Sequence, residues 1–114
     1  MPYIGSRLTI KLSDEKKALL VKELGKICTS CLGKSESYLM LGFEDDFCLY
    51  FKGEKLAFGA FVEVKIFGKA NPTAFENTTK NICALFEKEL SIPQDNIYVK
   101  YEEVDNWGYN GFNF

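Results

Sequence analysis

The sequence contains no histidine among its 114 residues. This absence excludes Ser-His-Asp and Cys-His catalysis, histidine-ligated zinc sites and pH switching by an imidazole. Any acid–base chemistry must therefore come from Asp, Glu, Lys, Tyr or Cys side chains, or from an N-terminal amine.

The sequence also lacks a strong charge imbalance and any long apolar run. Its net charge is −2, which argues against a nucleic-acid partner. The apolar runs are too short for membrane insertion, and residues 1–17 lack the apolar core of a signal peptide. We therefore expect a cytoplasmic protein with reduced cysteines.

The length and aromatic content indicate one packed domain over residues 1–114. Aromatic residues make up 15% of the chain, which favours a folded globule over disorder. A chain of this length can bury enough surface to fold without disulfides or metals, but has no room for a second core.

Residue periodicity predicts the elements of the first half. Residues 3–12 alternate as a strand, and an apolar stripe at helical spacing follows. Ser13 is predicted to cap this helix at its N-terminus, and Gly33 at its C-terminus. Two shorter strands are predicted over residues 38–43 and 47–51.

The second half repeats this order. Residues 57–67 form a strongly apolar predicted strand, and Asn71-Pro72 is typical of a helix start, with asparagine as the cap. Pro93 ends the helical pattern, and residues 96–101 are predicted to form a strand. The aromatic tail WGYNGFNF must pack on another part of the protein.

The element order predicts an α+β fold with two layers. Two β-α-β units would form one sheet with both helices on one face. Tyr38-Leu39-Met40 and Tyr98-Val99-Lys100 occupy similar places in the two halves. The other face of the sheet would be left uncovered and apolar, so we expect self-association.

Pro2 can be interpreted in two ways. It is consistent with a proline at a strand edge, which needs no hydrogen-bond donor. If Met1 is removed, Pro2 instead becomes a secondary amine at the start of a buried strand. Burial and a nearby cation would then lower its pKa and make it a base near neutral pH.

Two other features are better explained by structure than by chemistry. Cys28-Thr29-Ser30-Cys31 is a C-x-x-C motif, but it lies at the C-terminal end of the predicted helix, where the helix dipole disfavours a thiolate. Cys48 and Cys83 are too far apart in sequence to complete a zinc pair. Lys34 alone is consistent with a solvated lysine near a helix end.

Taken together, short motifs along the whole chain resemble the macrophage migration inhibitory factor (MIF) family, which includes D-dopachrome tautomerase and belongs to the tautomerase superfamily. The motifs are Met1-Pro2 at the start of a strand, Leu32-Gly33-Lys34 followed by Tyr38, Phe67-Gly68, Ile92-Pro93 with Asn96 to Val99, and the tail from Asn106 to Gly111 ending in Phe114. Each motif is weak, but their order and the chain length are specific.

The resemblance implies a homotrimeric barrel with the sheets inside, and active sites between neighbouring subunits. It implies an isomerase of the phenylpyruvate tautomerase or L-dopachrome isomerase type, without a cofactor or metal, acting on an α-keto acid. Pro2 would be the general base. Lys34 and the Phe67 backbone N–H would bind the substrate carboxylate, and Tyr98 of the adjacent subunit would contact the carbonyl. The pocket would be walled by Tyr38, Trp107, Tyr109 and Phe114.

The chain departs from the usual family pattern at several positions. Ser35 replaces a frequent proline, Phe67 is bulkier than the usual isoleucine, and Lys100 stands where many members have asparagine. Lys100 is expected beside the pocket, where a second cation would act on the base or the substrate. Ala60 and Glu63 occupy the places of a C-x-x-C found in some members, so the redox activity of those members does not transfer.

Two alternatives to a tautomerase remain open on the sequence. One is a cytokine-like protein that is secreted without a signal peptide and binds a cell-surface receptor, with a vestigial tautomerase site. The other is a thiol oxidoreductase that uses Cys28 and Cys31.

Overall fold

The structure, a computed structural model, describes all 114 residues. Two long helices and a set of strands alternate along the chain. In order they are β1 (Pro2–Leu8), α1 (Asp14–Leu32), β2 (Met40–Glu44), β3 (Tyr50–Phe51), β4 (Glu54–Lys55), β5 (Ala60–Phe67), α2 (Pro72–Leu90), β6 (Ile97–Val104), β7 (Gly108–Tyr109) and β8 (Phe112–Asn113).

Four strands form one mixed sheet in the order β2-β1-β5-β6. β1 is parallel to β2, and β5 is parallel to β6, so each pair with its helix is a β-α-β unit. The two units meet where β1 and β5 pair antiparallel, with Pro2 opposite Ile66 and Leu8 opposite Ala60. The predicted pair of β-α-β units in one sheet is therefore confirmed.

The helix ends lie where the capping residues predict them. The Ser13 side chain accepts the backbone N–H of Lys16, and Gly33 ends α1 with φ +67°. The Asn71 side chain accepts the N–H of Ala74 at 2.7 Å, and Pro72 is the first helical residue. Local hydrogen bonding thus fixes these boundaries.

The hydrophobic core lies between the two helices and one face of the sheet. Alternate residues of β1 and β5 point into it, and α1 and α2 each contribute one apolar stripe. Its largest fully buried side chains include Phe86, Ile4, Leu8, Leu20, Leu24, Ile66, Ile82 and Ile92. Neither helix is long and apolar enough to cross a membrane.

The other face of the sheet is uncovered, as predicted, but the expectation that it is apolar is wrong at its centre. Arg7 contacts Glu63 at 3.0 Å and Glu44 at 3.5 Å. Lys100 contacts Glu102 at 2.8 Å on the edge strand β6. The sequence indicated apolar strands because core-facing residues make up most of each strand's apolar content. The outward positions carry paired charges instead.

Several strand ends differ from the sequence prediction. β1 stops at Leu8, although the N–H of Thr9 still donates to the carbonyl of Gly59 at 3.1 Å. The Thr9 hydroxyl donates to the carbonyl of Ala57 and accepts the N–H of Gly59. Since Thr9 holds this loop, β5 begins at Ala60 rather than at residue 57. β6 extends beyond residue 101 to Val104, following its pairing with β5.

The region before β2 also differs. Residues Glu36–Tyr38 form a 3₁₀ turn, in which Ser35 accepts the N–H of Ser37. Tyr38 therefore precedes β2, whereas Tyr98 lies inside β6, and the proposed match between the two tyrosines fails. Residues 50–51 pair with residues 54–55 as a separate hairpin and do not join the main sheet.

We expect Asn71→Ala to lower the free energy of unfolding by about 1 kcal/mol, because the N–H of Ala74 loses its side-chain acceptor. Asn77→Ala, the same change on an exposed face within α2, is the matched control. Urea denaturation at equal protein concentrations measures both. Equal effects of the two substitutions would contradict the capping role of Asn71.

Candidate active site

A cavity of about 580 Å³ opens at the N-terminal end of β1. Three segments meet there: the chain terminus, the 3₁₀ turn with the start of β2, and the C-terminal tail. The lining residues are Met1, Pro2, Tyr3, Ser37, Tyr38, Leu39, Met40, Lys65, Trp107, Gly108 and Tyr109. This is the largest of the described cavities.

Pro2 is fully buried at the first position of β1, directly opposite Ile66. The backbone N–H of Phe67 donates to the carbonyl of Met1 at 3.0 Å. This bond continues the β1–β5 ladder by one residue beyond Pro2. The Pro2 nitrogen therefore lies next to the Phe67 N–H, which donates to the Met1 carbonyl oxygen.

The amine at the chain terminus has a lowered pKa. Burial is the largest cause, and the positive charge of Lys34 is the second, while Cys28 acts in the opposite direction. Both main causes disfavour the protonated amine. An amine at this end of β1 is thus held closer to its neutral, basic form, and Lys34 lies near enough to act on it.

Lys34 is positioned by the end of α1. Gly33 adopts the left-handed conformation at φ +67°, which ends the helix directly before Lys34. Cys28 then holds both backbone groups of Lys34: its carbonyl accepts the Lys34 N–H at 3.3 Å, and its thiol donates to the Lys34 carbonyl at 3.6 Å.

The thiol of Cys28 is a structural group. It is fully buried, and burial raises its pKa, which is the opposite of what a redox cysteine requires. Cys31 is only partly buried and faces Asn81 of α2. All four cysteines are free.

An aromatic cluster lies at the cavity, which two of its rings, Tyr38 and Tyr109, line. The rings of Tyr38 and Tyr109 are 5.8 Å apart, those of Tyr109 and Phe114 are 6.3 Å apart, and those of Phe67 and Phe114 are 6.0 Å apart. The carbonyl of Trp107 accepts the N–H of Phe114 at 3.0 Å and closes the tail hairpin. The tail therefore packs beside Pro2.

Tyr98 and Lys100 do not line this cavity. Tyr98 pairs with Phe61, which in turn pairs with Arg7. Arg7 is five residues along β1 from Pro2, which corresponds to about 17 Å at the usual rise of a strand. Lys100 lies on the open sheet face beside Glu102, which raises its pKa. Of the predicted site residues, Pro2, Tyr38, Trp107 and Tyr109 line the cavity. Lys34, Phe67 and Phe114 lie close to these residues but outside the lining, and Tyr98 and Lys100 lie away from it.

Sequence reasoning missed Lys65, Tyr3 and Met40 as lining residues. Lys65 lies directly opposite Tyr3 in the β1–β5 pair, and Met40 lies opposite Tyr3 in the β1–β2 pair. Alternation along β5 would have placed Lys65 on the outward face. Only the register of strands far apart in sequence brings it to the cavity.

The arrangement suits an anion better than a metal ion. No three Cys, Asp or Glu side chains lie together in a way that could hold a metal. A partly buried terminal amine with a lowered pKa, a neighbouring lysine and a backbone N–H instead provide one proton acceptor and donors for a carboxylate.

We expect Lys34→Met to raise the pKa of the N-terminal amine toward its ordinary value near 8.0, because the repulsion that disfavours the protonated amine is removed. An NMR titration of protein with a ¹⁵N-labelled terminal residue measures the change. Lys26→Met, at an exposed lysine paired with Glu23 in the same helix, is the control. A pKa that stays the same in Lys34→Met would contradict the proximity of Lys34.

Comparisons with known proteins agree along the whole chain. The family described as macrophage migration inhibitory factor (MIF) matches residues 1–114. The macrophage migration inhibitory factor of Xenopus laevis is 27% identical over 116 residues, covering 100% of this chain and 99% of that protein.

Solved structures give the same result. The crystal structure of Leishmania major MIF2 is 35% identical with a TM-score of 0.93, covering 100% of this chain and 97% of that one. The MIF homologue from Prochlorococcus marinus is 29% identical with a TM-score of 0.88, covering 98% of both chains. Since the family matches every residue, the chain belongs to the macrophage migration inhibitory factor family.

Proposed function

We propose that this protein is a keto–enol tautomerase that acts on α-keto acids of the phenylpyruvate type, with Pro2 as the general base after removal of Met1. Membership of the MIF family supports an isomerase of the tautomerase class. The choice of base and substrate rests on the cavity around Pro2.

One observation carries the proposal: the Phe67 N–H donates to the carbonyl of Met1, directly beside the Pro2 nitrogen. With Met1 attached, that nitrogen is an amide and cannot accept a proton. Loss of Met1 creates a secondary amine and at the same time frees the Phe67 N–H. The Met1 carbonyl oxygen therefore stands where a substrate carboxylate oxygen would bind.

Substrate binding follows from these groups. The Phe67 N–H and the Lys34 ammonium would hold the carboxylate, and the aromatic wall of Tyr38, Tyr109 and Phe114 would cover the ring. A charge-assisted hydrogen bond is stronger in an apolar cavity than in water. These contacts would hold the carbon next to the keto group against the Pro2 nitrogen.

The proton transfer needs only one base. The neutral amine of Pro2 takes a proton from C3 of the keto acid, and the electrons of the C–H bond form the C2–C3 double bond. The keto oxygen gains negative charge and takes a proton from water to become the enol hydroxyl. The ammonium of Pro2 then gives its proton back to water, so that the base is restored and one proton has moved from C3 to the oxygen. Burial and Lys34 would lower the pKa of the Pro2 amine and so favour its neutral form, just as they lower the pKa of the present terminal amine.

We propose further that the protein is a homotrimer in which a neighbouring subunit completes each site. Tyr98 is about 17 Å along the sheet from its own Pro2, so only Tyr98 of another subunit could contact the substrate carbonyl. The open sheet faces would line the barrel, and their paired charges suit a water-filled interior. Lys100 of the neighbouring subunit would lie near the same site.

We expect protein that lacks Met1 to convert phenylpyruvate, and Pro2→Gly to lower kcat by about a hundredfold or more, as for loss of a general base. Pro93→Gly is the matched control, because Pro93 is exposed and lies far along the chain from the cavity. Intact mass and turnover are measured on the same sample.

Two results would contradict this assignment. Turnover that survives in Pro2→Gly would exclude Pro2 as the base. A wild-type protein that lacks Met1 and has no turnover would favour the alternative, a secreted receptor-binding protein with a vestigial site. A cytoplasmic location goes with the tautomerase proposal, and secretion goes with the receptor-binding alternative.

We expect a mixture of Pro2→Gly and Tyr98→Ala subunits to regain activity. If the two side chains act across a subunit interface, about a quarter of the sites in randomly refolded trimers contain both intact groups. The two variants are unfolded together, refolded and assayed with phenylpyruvate. Each variant refolded alone is the control, and a mixture no more active than the two parents would show that Tyr98 is not shared.

A further inference from the structure

Lys65 is the only charged side chain that lines the Pro2 cavity. It lies on the outward face of β5, opposite Tyr3 of β1 and Glu102 of β6. The side chain is about one-third exposed at 36%. The other lining side chains are uncharged, and Lys34, which acts on the terminal amine, is not among the lining residues.

The nearby carboxylates are already engaged by other cations. Glu63 contacts Arg7 at 3.0 Å but Lys65 only at 3.9 Å. Glu102 contacts Lys100 at 2.8 Å. Each carboxylate therefore has a closer partner, and Lys65 is the least neutralised of the three cations on this sheet face.

The position of Lys65 separates it from the proposed carboxylate site. Lys65 and Phe67 are two residues apart on the same face of β5, or roughly 7 Å along the strand. That distance is comparable to the separation of the two ends of an arylpyruvate. A carboxylate held at the Phe67 N–H thus leaves the far end of such a molecule within reach of the lysine side chain.

We infer that Lys65 is a specificity-determining residue, which favours α-keto acids that carry a second anionic group at the end remote from the keto acid. The inference rests on the proposed tautomerase function and deepens it. Lys65 takes no part in the proton transfer. It donates a charge-assisted hydrogen bond to the second anion, and that bond has no equivalent with a neutral substituent.

The test compares two nearly isosteric substrates, (4-carboxyphenyl)pyruvate and (4-carbamoylphenyl)pyruvate, with phenylpyruvate as the reference. We expect the wild-type protein to prefer the carboxyl compound over the carbamoyl compound by about tenfold in kcat/KM. In Lys65→Met the ratio should fall to about one. Lys65→Arg should keep the preference.

Lys69→Met is the matched control, because Lys69 is exposed, lies in the turn after β5 and does not line the cavity. A wild-type ratio near one, or a ratio that Lys65→Met leaves unchanged, would overturn the inference. An equal loss for all three substrates in Lys65→Met would also overturn it, since Lys65 would then bind the shared carboxylate.

Calorimetric binding of the two substituted compounds separates this inference from the proposed reaction. A binding preference that Lys65→Met removes supports the role of Lys65 even if the wild-type protein has no turnover. Turnover of phenylpyruvate without any preference, in rate or in binding, supports the reaction and refutes the role of Lys65.

Discussion

The antiparallel pairing of β1 with β5 is the constraint on which the rest of the structure depends. It joins the two β-α-β units into one sheet and places Pro2 opposite Ile66. The same register brings the Phe67 N–H to the Met1 carbonyl and Lys65 to Tyr3. A shift by one residue would exchange the inward and outward faces of β1 and separate these groups. The core and the candidate site are thus fixed by a single pairing.

The candidate site is assembled at an edge of this pairing from segments with little regular structure. The left-handed Gly33 and the two hydrogen bonds between Cys28 and Lys34 fix the lysine at the end of α1. The tail adds its aromatic rings through a short hairpin that turns at Asn110-Gly111, both with positive φ. Burial here has two consequences with one cause, since excluding water lowers the pKa of the amine and strengthens the attraction between lysine and a carboxylate.

The uncovered face of the sheet bears on both assembly and chemistry. Its central charges are matched in pairs, so it differs from the apolar face that usually drives two sheets together. The proposed association of subunits would therefore depend on strand edges and on exposed aromatic residues such as Tyr50, Tyr98 and Phe112. Glu63 is central to this network because it lies between Arg7 and Lys65 and opposite Lys100. The charges on this face are coupled to the cavity through Lys65.

The sequence by itself determined the features that depend on neighbours along the chain. Ser13, Gly33, Asn71 and Pro72 set the helix ends through capping bonds and backbone preferences, and alternation set the inward faces of β1 and β5. The family motifs also indicated Pro2, Lys34 and Phe67 together. Only the tertiary structure decided that β1 ends at Leu8, that the central outward face is charged, that Lys65 lines the cavity and that Tyr98 lies far from its own Pro2. These outcomes depend on the register between strands about sixty residues apart, which no local propensity encodes.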